Sequence, residues 1–287
     1  QMPANLLAAF GDPVFATETS QTKDSNFNGQ EAVATARLRS ALRDTELNDG
    51  AFDPTKLGRL FFAKHELDRL REVAGEKSLI VTDYAATREK FLSTDLTQYA
   101  ILHVVTHGLF NPKRPEASGL LLTNVSREEK QLNGFIGLQD IYELRAPVLL
   151  VVLSACQTAL GKDVRGEGLL GVTRGFMYAG ASGVVASLWQ VDDEATAELM
   201  KFFYSNMLEK GMRPSEALRE AQNSIRQQSK WSAPYYWAGF TLQGEYRQTI
   251  KPQVRGLATV WIVVIVVGIL TLAAGSLWYG RRRMRKV

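Results

Sequence analysis

Apolar residues along this chain fall in short dense runs. Between the runs lie longer stretches where apolar positions recur every three or four residues. That alternation reads as strand followed by helix. The runs are at 6–10, 78–82, 99–105, 148–153, 183–188 and 236–242. Helical spacing covers 64–74 (Leu67, Leu70 and Val73, with Gly75 as a stop), 87–92, 138–144, 169–179 with Gly180 after it, 193–209, and 215–228 entered through Pro214. Leu120, Leu121 and Leu122 predict a small hairpin element. The first run ends in the turn Gly11-Asp12-Pro13. From about 15 to 56 the chain is polar, with a weakly helical patch at 31–42, and reads as a long surface excursion. Strands alternating with helices predict an α/β fold with a mostly parallel sheet flanked by helices, spanning 1–249.

After a linker at 250–256 the pattern changes. Residues 257–279 contain no charge and show no polar face. At about 1.5 Å per residue the segment spans a hydrocarbon core of roughly 30 Å. Trp261, Trp278 and Tyr279 lie near its ends, as interfacial aromatics do. The basic tail at 280–287 follows, with Arg281, Arg282, Arg283, Arg285 and Lys286, against Lys251 and Arg255 on the other flank. The expectation is a single transmembrane helix with a cytoplasmic tail and a non-cytoplasmic globular domain.

The formal net charge of +4 comes from that tail, so the body is near neutral and nucleic acid is not an expected partner. One cysteine, Cys156, excludes an intramolecular disulfide and a Cys-rich metal site. No His, Cys and carboxylate cluster has ligand spacing, so neither a metal nor a cofactor is expected. The chain opens on Gln1 rather than Met, which reads as the C-terminal part of a longer product.

Chemistry concentrates after two of the apolar runs. Thr106-His107-Gly108 follows the run at 99–105, and Ser154-Ala155-Cys156 follows that at 148–153. Neighbouring parallel strands lie about 4.8 Å apart. If these two are neighbours, an imidazole meets a thiol, and a thiol needs such a base because the thiolate is the nucleophile. The backbone N–H groups of Gly108 and Cys156 are the candidate oxyanion donors. The opposing readings are a buried core thiol at Cys156 and a loop histidine at His107. His103, inside its run, reads as a satisfied core histidine, and His65, in a charged helix, as solvated. Arg165-Gly166-Glu167-Gly168 lacks both the Walker lysine and the GxGxxG spacing, so it reads as a loop beside the thiol rather than a nucleotide site. Trp189 and Trp237 line either a groove or the core.

These residues resemble a known family. Thr106-His107-Gly108, Leu153-Ser154-Ala155-Cys156-Gln157-Thr158, Gly166-Glu167-Gly168, Ala179-Gly180-Ala181, the stretch from Ser187-Leu188-Trp189 to Asp192-Asp193-Glu194-Ala195-Thr196, and Pro234-Tyr235-Tyr236-Trp237-Ala238-Gly239-Phe240 look like the CHAT domain in order and spacing. Gly11-Asp12-Pro13 and Leu57-Gly58-Arg59-Leu60 resemble its first strand and following loop.

The resemblance implies a caspase-like fold, related to separases, and cysteine endopeptidase activity with His107 and Cys156 as the dyad. It implies a protein or peptide substrate, and an upstream regulatory region of TPR type. By analogy with separases, Asp193, with Asp192 beside it, contacts a basic side chain before the scissile bond. Their other reading is a helix cap and first-turn acid. The alternative to an enzyme is a non-catalytic, membrane-tethered module that binds a peptide or protein.

Overall fold

The computed structural model describes residues 3–15, 59–75, 78–110, 117–159, 167–189 and 191–250; at 110, 155–159 and 167–169 the description is of the backbone. The segment 257–279 and most of the 15–56 excursion lie outside the described residues. Among the described residues no helix is long and apolar enough to cross a membrane.

Among the described residues eight strands form one sheet. In chain order they are β1 (Asn5–Gly11), β2 (Ser78–Thr82), β3 (Tyr99–Phe110), β4 (Gly119–Leu121), β5 (Phe135–Gly137), β6 (Leu150–Ala159), β7 (Gly183–Ser187) and β8 (Phe240–Gly244). The main order is β2-β1-β3-β6-β7-β8, parallel except for the β8 edge. The helices are α1 (Ala63–Ala74), α2 (Arg88–Ser93), α3 (Leu138–Glu143), α4 (Glu167–Tyr178), α5 (Asp193–Tyr204) and α6 (Pro214–Arg226). Successive strand residues face opposite sides, so the sheet's side chains divide into two cores. Leu7, Ala9, Ile101, Val105, Val152 and Val185 pack under α1, α5 and α6. Ala8, Phe10, Leu102, Val104, Val151 and Leu153 pack under α2, α3 and α4. This is the three-layer α/β arrangement that the alternating pattern predicts.

Four boundaries differ from expectation by more than two residues. Strands β3 and β6 run on through the residues read as loops, to Phe110 and Ala159. Past Val105, where β1 ends, the antiparallel strand β4 takes its place beside β3, pairing His107 with Leu121 and Gly108 with Leu120. The last strand begins at Phe240 rather than 236, because Pro234–Tyr236 winds into a short 3₁₀ turn first. The helix expected over 193–209 is α-helical to Tyr204 and then a π turn, Ser205–Glu209, closed by Lys210 N–H on the Ser205 carbonyl.

Close packing at the carboxyl end of β1 depends on Gly11. A Cβ there would stand 2.8 Å from the Val105 Cβ and carbonyl and 2.9 Å from Leu67 Cδ1. The missing side chain is what lets β1, β3 and α1 meet at this depth.

Candidate active site

The β1–β3 register ends at Gly11↔Val105, and the β6–β7 register ends at Leu153↔Ala186. Beyond both points β3 and β6 continue as a pair, and there His107 stands in register with Cys156. Adjacent strands separate paired residues by about 4.8 Å. The two residues are therefore neighbours across one ladder step, past the carboxyl ends of the flanking parallel strands. The ladder does not stop at them: Gly108↔Gln157, Leu109↔Thr158 and Phe110↔Ala159 follow. Gly108 lies between Leu120 of β4 and Gln157 of β6, so its backbone is inside the sheet rather than on an open turn.

His107 is nearly enclosed, at 7% exposure. Its ring lies 5.2 Å from that of Phe15, which with Leu109, Leu121 and Phe135 makes a small apolar cluster over β3, β4 and β5. The neighbouring Thr106 is fully buried, and its hydroxyl donates to the Leu121 carbonyl, tying β3 to β4 beside the histidine.

Both acids expected at the substrate wall lie at the start of α5. Asp192 is exposed and is the N-cap, its side chain accepting from Ala195 N–H at 2.9 Å. Asp193 is half-buried and reaches another element: its Oδ2 accepts from Phe62 N–H, at the entrance of α1, at 2.9 Å. Burial raises the Asp193 carboxyl above its ordinary value, the Phe62 N–H lowers it, the Asp192 charge raises it, and the nearby His107 lowers it. Asp193 thus ties the start of α5 to the entrance of α1, while Asp192 serves its own helix.

The sequence reading missed an acidic clamp on the β1 side. Asp12 and Asp83 follow β1 and β2, both with positive φ, at 50° and 59°. Short polar side chains tolerate that conformation best. Arg59 grips Asp12 with two bonds, Nε to Oδ1 at 2.9 Å and Nη2 to Oδ2 at 3.0 Å, and reaches Asp83 Oδ1 at 2.7 Å. Burial is the largest influence on the Asp12 carboxyl and, with the Asp83 charge, keeps it above its ordinary value against the pull of Arg59. Also missed was Glu66, buried beneath β3 and β6.

His103 is fully buried, with partners at both ring nitrogens, and His65 is exposed. Trp189 and Trp237 pack against the core under α1, α5 and α6, and their indole N–H groups donate to the Tyr235 and Ser232 carbonyls. That is edge-of-core packing rather than an open groove. Residues 160–166, which include Arg165 and Gly166, lie outside the described residues. Among the described residues no group of three His, Cys, Asp or Glu is placed to hold a metal ion.

The family model of the CHAT domain matches residues 3–245. The chain belongs to the CHAT domain family. Among curated proteins, this CHAT domain is similar to Tetratricopeptide repeat protein 28 of Mus musculus, 42% identical over 105 residues, which is 37% of this chain and 4% of that protein. It is also similar to Tetratricopeptide repeat protein 28 of Homo sapiens, 28% identical over 236 residues, 72% of this chain and 9% of that protein. The chain therefore spans less than a tenth of the length of these relatives.

Proposed function

We propose that this CHAT domain is a caspase-like cysteine endopeptidase in which His107 and Cys156 form the dyad. The observation that carries the reading is the register pairing of His107 with Cys156 on adjacent parallel strands, past the ends of β1 and β7. His107 takes the thiol proton, and the thiolate attacks the scissile carbonyl. The N–H groups of Gly108 and Cys156 hold the oxyanion once substrate draws them out of the ladder in which the structure shows them. As it collapses, His107 gives its proton to the leaving amine and the acyl-enzyme remains. Water then attacks, losing its proton to His107, and the acid departs as the thiol is restored. Asp193, aided by the charge of Asp192, receives a basic side chain before the scissile bond. Its half-buried place in electrostatic reach of His107 supports this.

Around that site we place a regulatory protein substrate, a bilayer anchor at 257–279 with the domain on the non-cytoplasmic side, and an upstream helical-repeat region. The tetratricopeptide repeats in the relatives' name, and their far greater length, support the last. Protease added outside sealed vesicles tests the orientation, and digestion of the domain from the cytoplasmic face overturns it.

The test of the enzyme is labelling of the full chain with a peptidyl electrophile, together with cleavage of a proteome-derived peptide library. Both are expected to disappear in Cys156→Ala, and labelling that persists refutes the assignment. A second reading is favoured by the continuation of the β3–β6 ladder to Phe110↔Ala159, which keeps the strands closed beyond the dyad. It is a membrane-tethered binding module without turnover. A Cys156 that reacts with iodoacetamide no faster than a model thiol selects the module.

A further inference from the structure

Beneath the dyad lies a chain of buried polar groups that the mechanism above does not use. Glu66 of α1 is 3% exposed, His103 of β3 is fully buried, Ser154 of β6 is 3% exposed, and Tyr204, the last residue of α5, is 1% exposed. The two carboxylate oxygens of Glu66 serve different strands. Oε1 lies 2.8 Å from His103 Nε2, and Oε2 accepts from the Ser154 hydroxyl at 2.9 Å. The other ring nitrogen of His103 lies 2.9 Å from the Tyr204 hydroxyl, with the two rings edge to face at 5.5 Å. Burial, and then the charge of Glu66, push the Tyr204 phenol well above its ordinary value, so it keeps its proton. The phenol proton is therefore available to His103 Nδ1. The Oε1–Nε2 contact is close but out of line for a hydrogen bond, so Glu66 holds Ser154 by a directed bond and His103 by proximity.

The strands that Glu66 joins are the two that carry the dyad. His103 is four residues before His107 on β3, and Ser154 is two residues before Cys156 on β6. We propose that Glu66 is a positioning residue for catalysis, a carboxylate clamp that holds β3 through His103 and β6 through Ser154 and so sets His107 against Cys156. Tyr204 extends the clamp to α5, whose first turn carries Asp193, so base, nucleophile and substrate wall share one support. An apolar core could hold these strands together as well. What the carboxylate adds is one anchor common to both strands: Oε2 accepts a directed bond from Ser154, and Oε1 stands 2.8 Å from His103 Nε2. The proposal rests on the peptidase reading.

The cleft between α1 and α5, about 220 Å³, is lined by Glu66 and Tyr204 and by the titratable Arg69, Glu72, Lys201 and Glu209. A pH profile must be read against these groups.

The test compares full-length wild type, Glu66→Gln, Ser154→Ala and the double variant. Glu66→Gln keeps the shape but replaces one acceptor with a donor, and Ser154→Ala removes one arm. A displacement of about 1 Å in the reacting pair costs on the order of 10²-fold. Glu66→Gln is expected to lower kcat by about that factor with KM little changed, and Ser154→Ala by less. The double variant is expected to match Glu66→Gln, because Ser154 acts only through this carboxylate. The pH dependence of iodoacetamide labelling at Cys156 should move toward that of a free thiol in Glu66→Gln. A purely structural role would lower the melting temperature without moving that profile.

Glu66→Gln with kcat within about twofold of wild type, an unmoved labelling profile, or additive losses in the double variant each overturn the clamp. A wild-type chain that neither cleaves nor labels overturns the peptidase reading instead. In that case the ¹⁵N titration of the His107 imidazole decides: Glu66→Gln must shift it for the clamp to stand, and an unshifted titration refutes it.

Discussion

Replacing Asp193 by Asn and by Ala separates two contributions that its carboxylate makes together. One is a hydrogen bond: Oδ2 accepts the Phe62 N–H at 2.9 Å, at the entrance of α1, where helix donors lack partners within the helix. The other is the cost of holding a half-buried charge. Burial is the largest influence on this carboxyl and raises it above the free value of 3.8. The Phe62 N–H and His107 pull it down, and the Asp192 charge pushes it up. A carboxyl with a raised folded-state value favours the fold while protonated, below the unfolded value. That contribution is lost as pH rises through the folded value. At neutral pH the charge is therefore a net liability to stability.

Asp193→Asn keeps an acceptor of nearly the same shape without the charge. Its stability relative to wild type should rise as pH increases from about 3.5 to 7 and level off above the folded-state value. Asp193→Ala leaves Phe62 N–H without this acceptor, which costs about 1–2 kcal/mol. In a domain of this size that is about 2–4 °C of melting temperature per kcal/mol, so Asn should melt above Ala throughout the range. Denaturant titrations across pH, scored as differences from wild type, are the assay. Both variants should lose cleavage after Lys and Arg while leaving any cleavage after neutral residues unchanged. A wild type that gains on Asp193→Asn as pH rises refutes the reasoning, because the carboxylate would then be stabilised by its surroundings rather than strained by burial.

Arg59→Ala should destabilise the domain by about 1–2 kcal/mol at neutral pH, between the values for exposed and for broken buried pairs, because the guanidinium side chain is 49% exposed. Without Arg59, the carboxyl of Asp12 rises further, so the deficit should shrink as pH falls and Asp12 protonates; a deficit that stays constant down to about pH 4 in urea titrations contradicts the clamp. Gly11→Ala should cost about 1–3 kcal/mol by overpacking against Val105 and Leu67, read as a lower urea midpoint; an unchanged midpoint means that β1 and β3 part freely.

Local pattern reads out this fold wherever the partner of a segment is local or generic. Strand β2 lies where its apolar run places it, and α6 starts at Pro214 as its sequence predicts. It fails where a distant segment decides. Thr106-His107-Gly108 looks like a loop after a strand, yet it is strand, because β4 replaces β1 as the neighbour of β3 just where β1 runs out. The same ladder carries β6 on to Ala159.

Glu66 shows the other limit. Flanked by Lys64, His65, Asp68 and Arg69, it reads as part of a charged surface helix. Its position gives it away: it is three residues after Ala63 and four before Leu70, on the stripe that Leu67 and Ala74 complete, and all of these are buried. Val73, two turns on and so on nearly the same side, is only partly buried, which leaves Glu66 deeper than its own apolar neighbour. A carboxylate can take a place on such a stripe only if polar groups meet it there, and those groups, the Ser154 hydroxyl that donates to it and the His103 ring beside it, come from strands that fold beneath the helix. Burial separates His103 from His107 poorly, at 0% against 7%. What separates them is position along β3: His103 lies where β1 and β6 flank it on both sides, and His107 lies past the end of β1, opposite Cys156. Chemistry at this sheet is thus set by where the neighbouring strands stop, a property of the pairing that no single run of residues encodes.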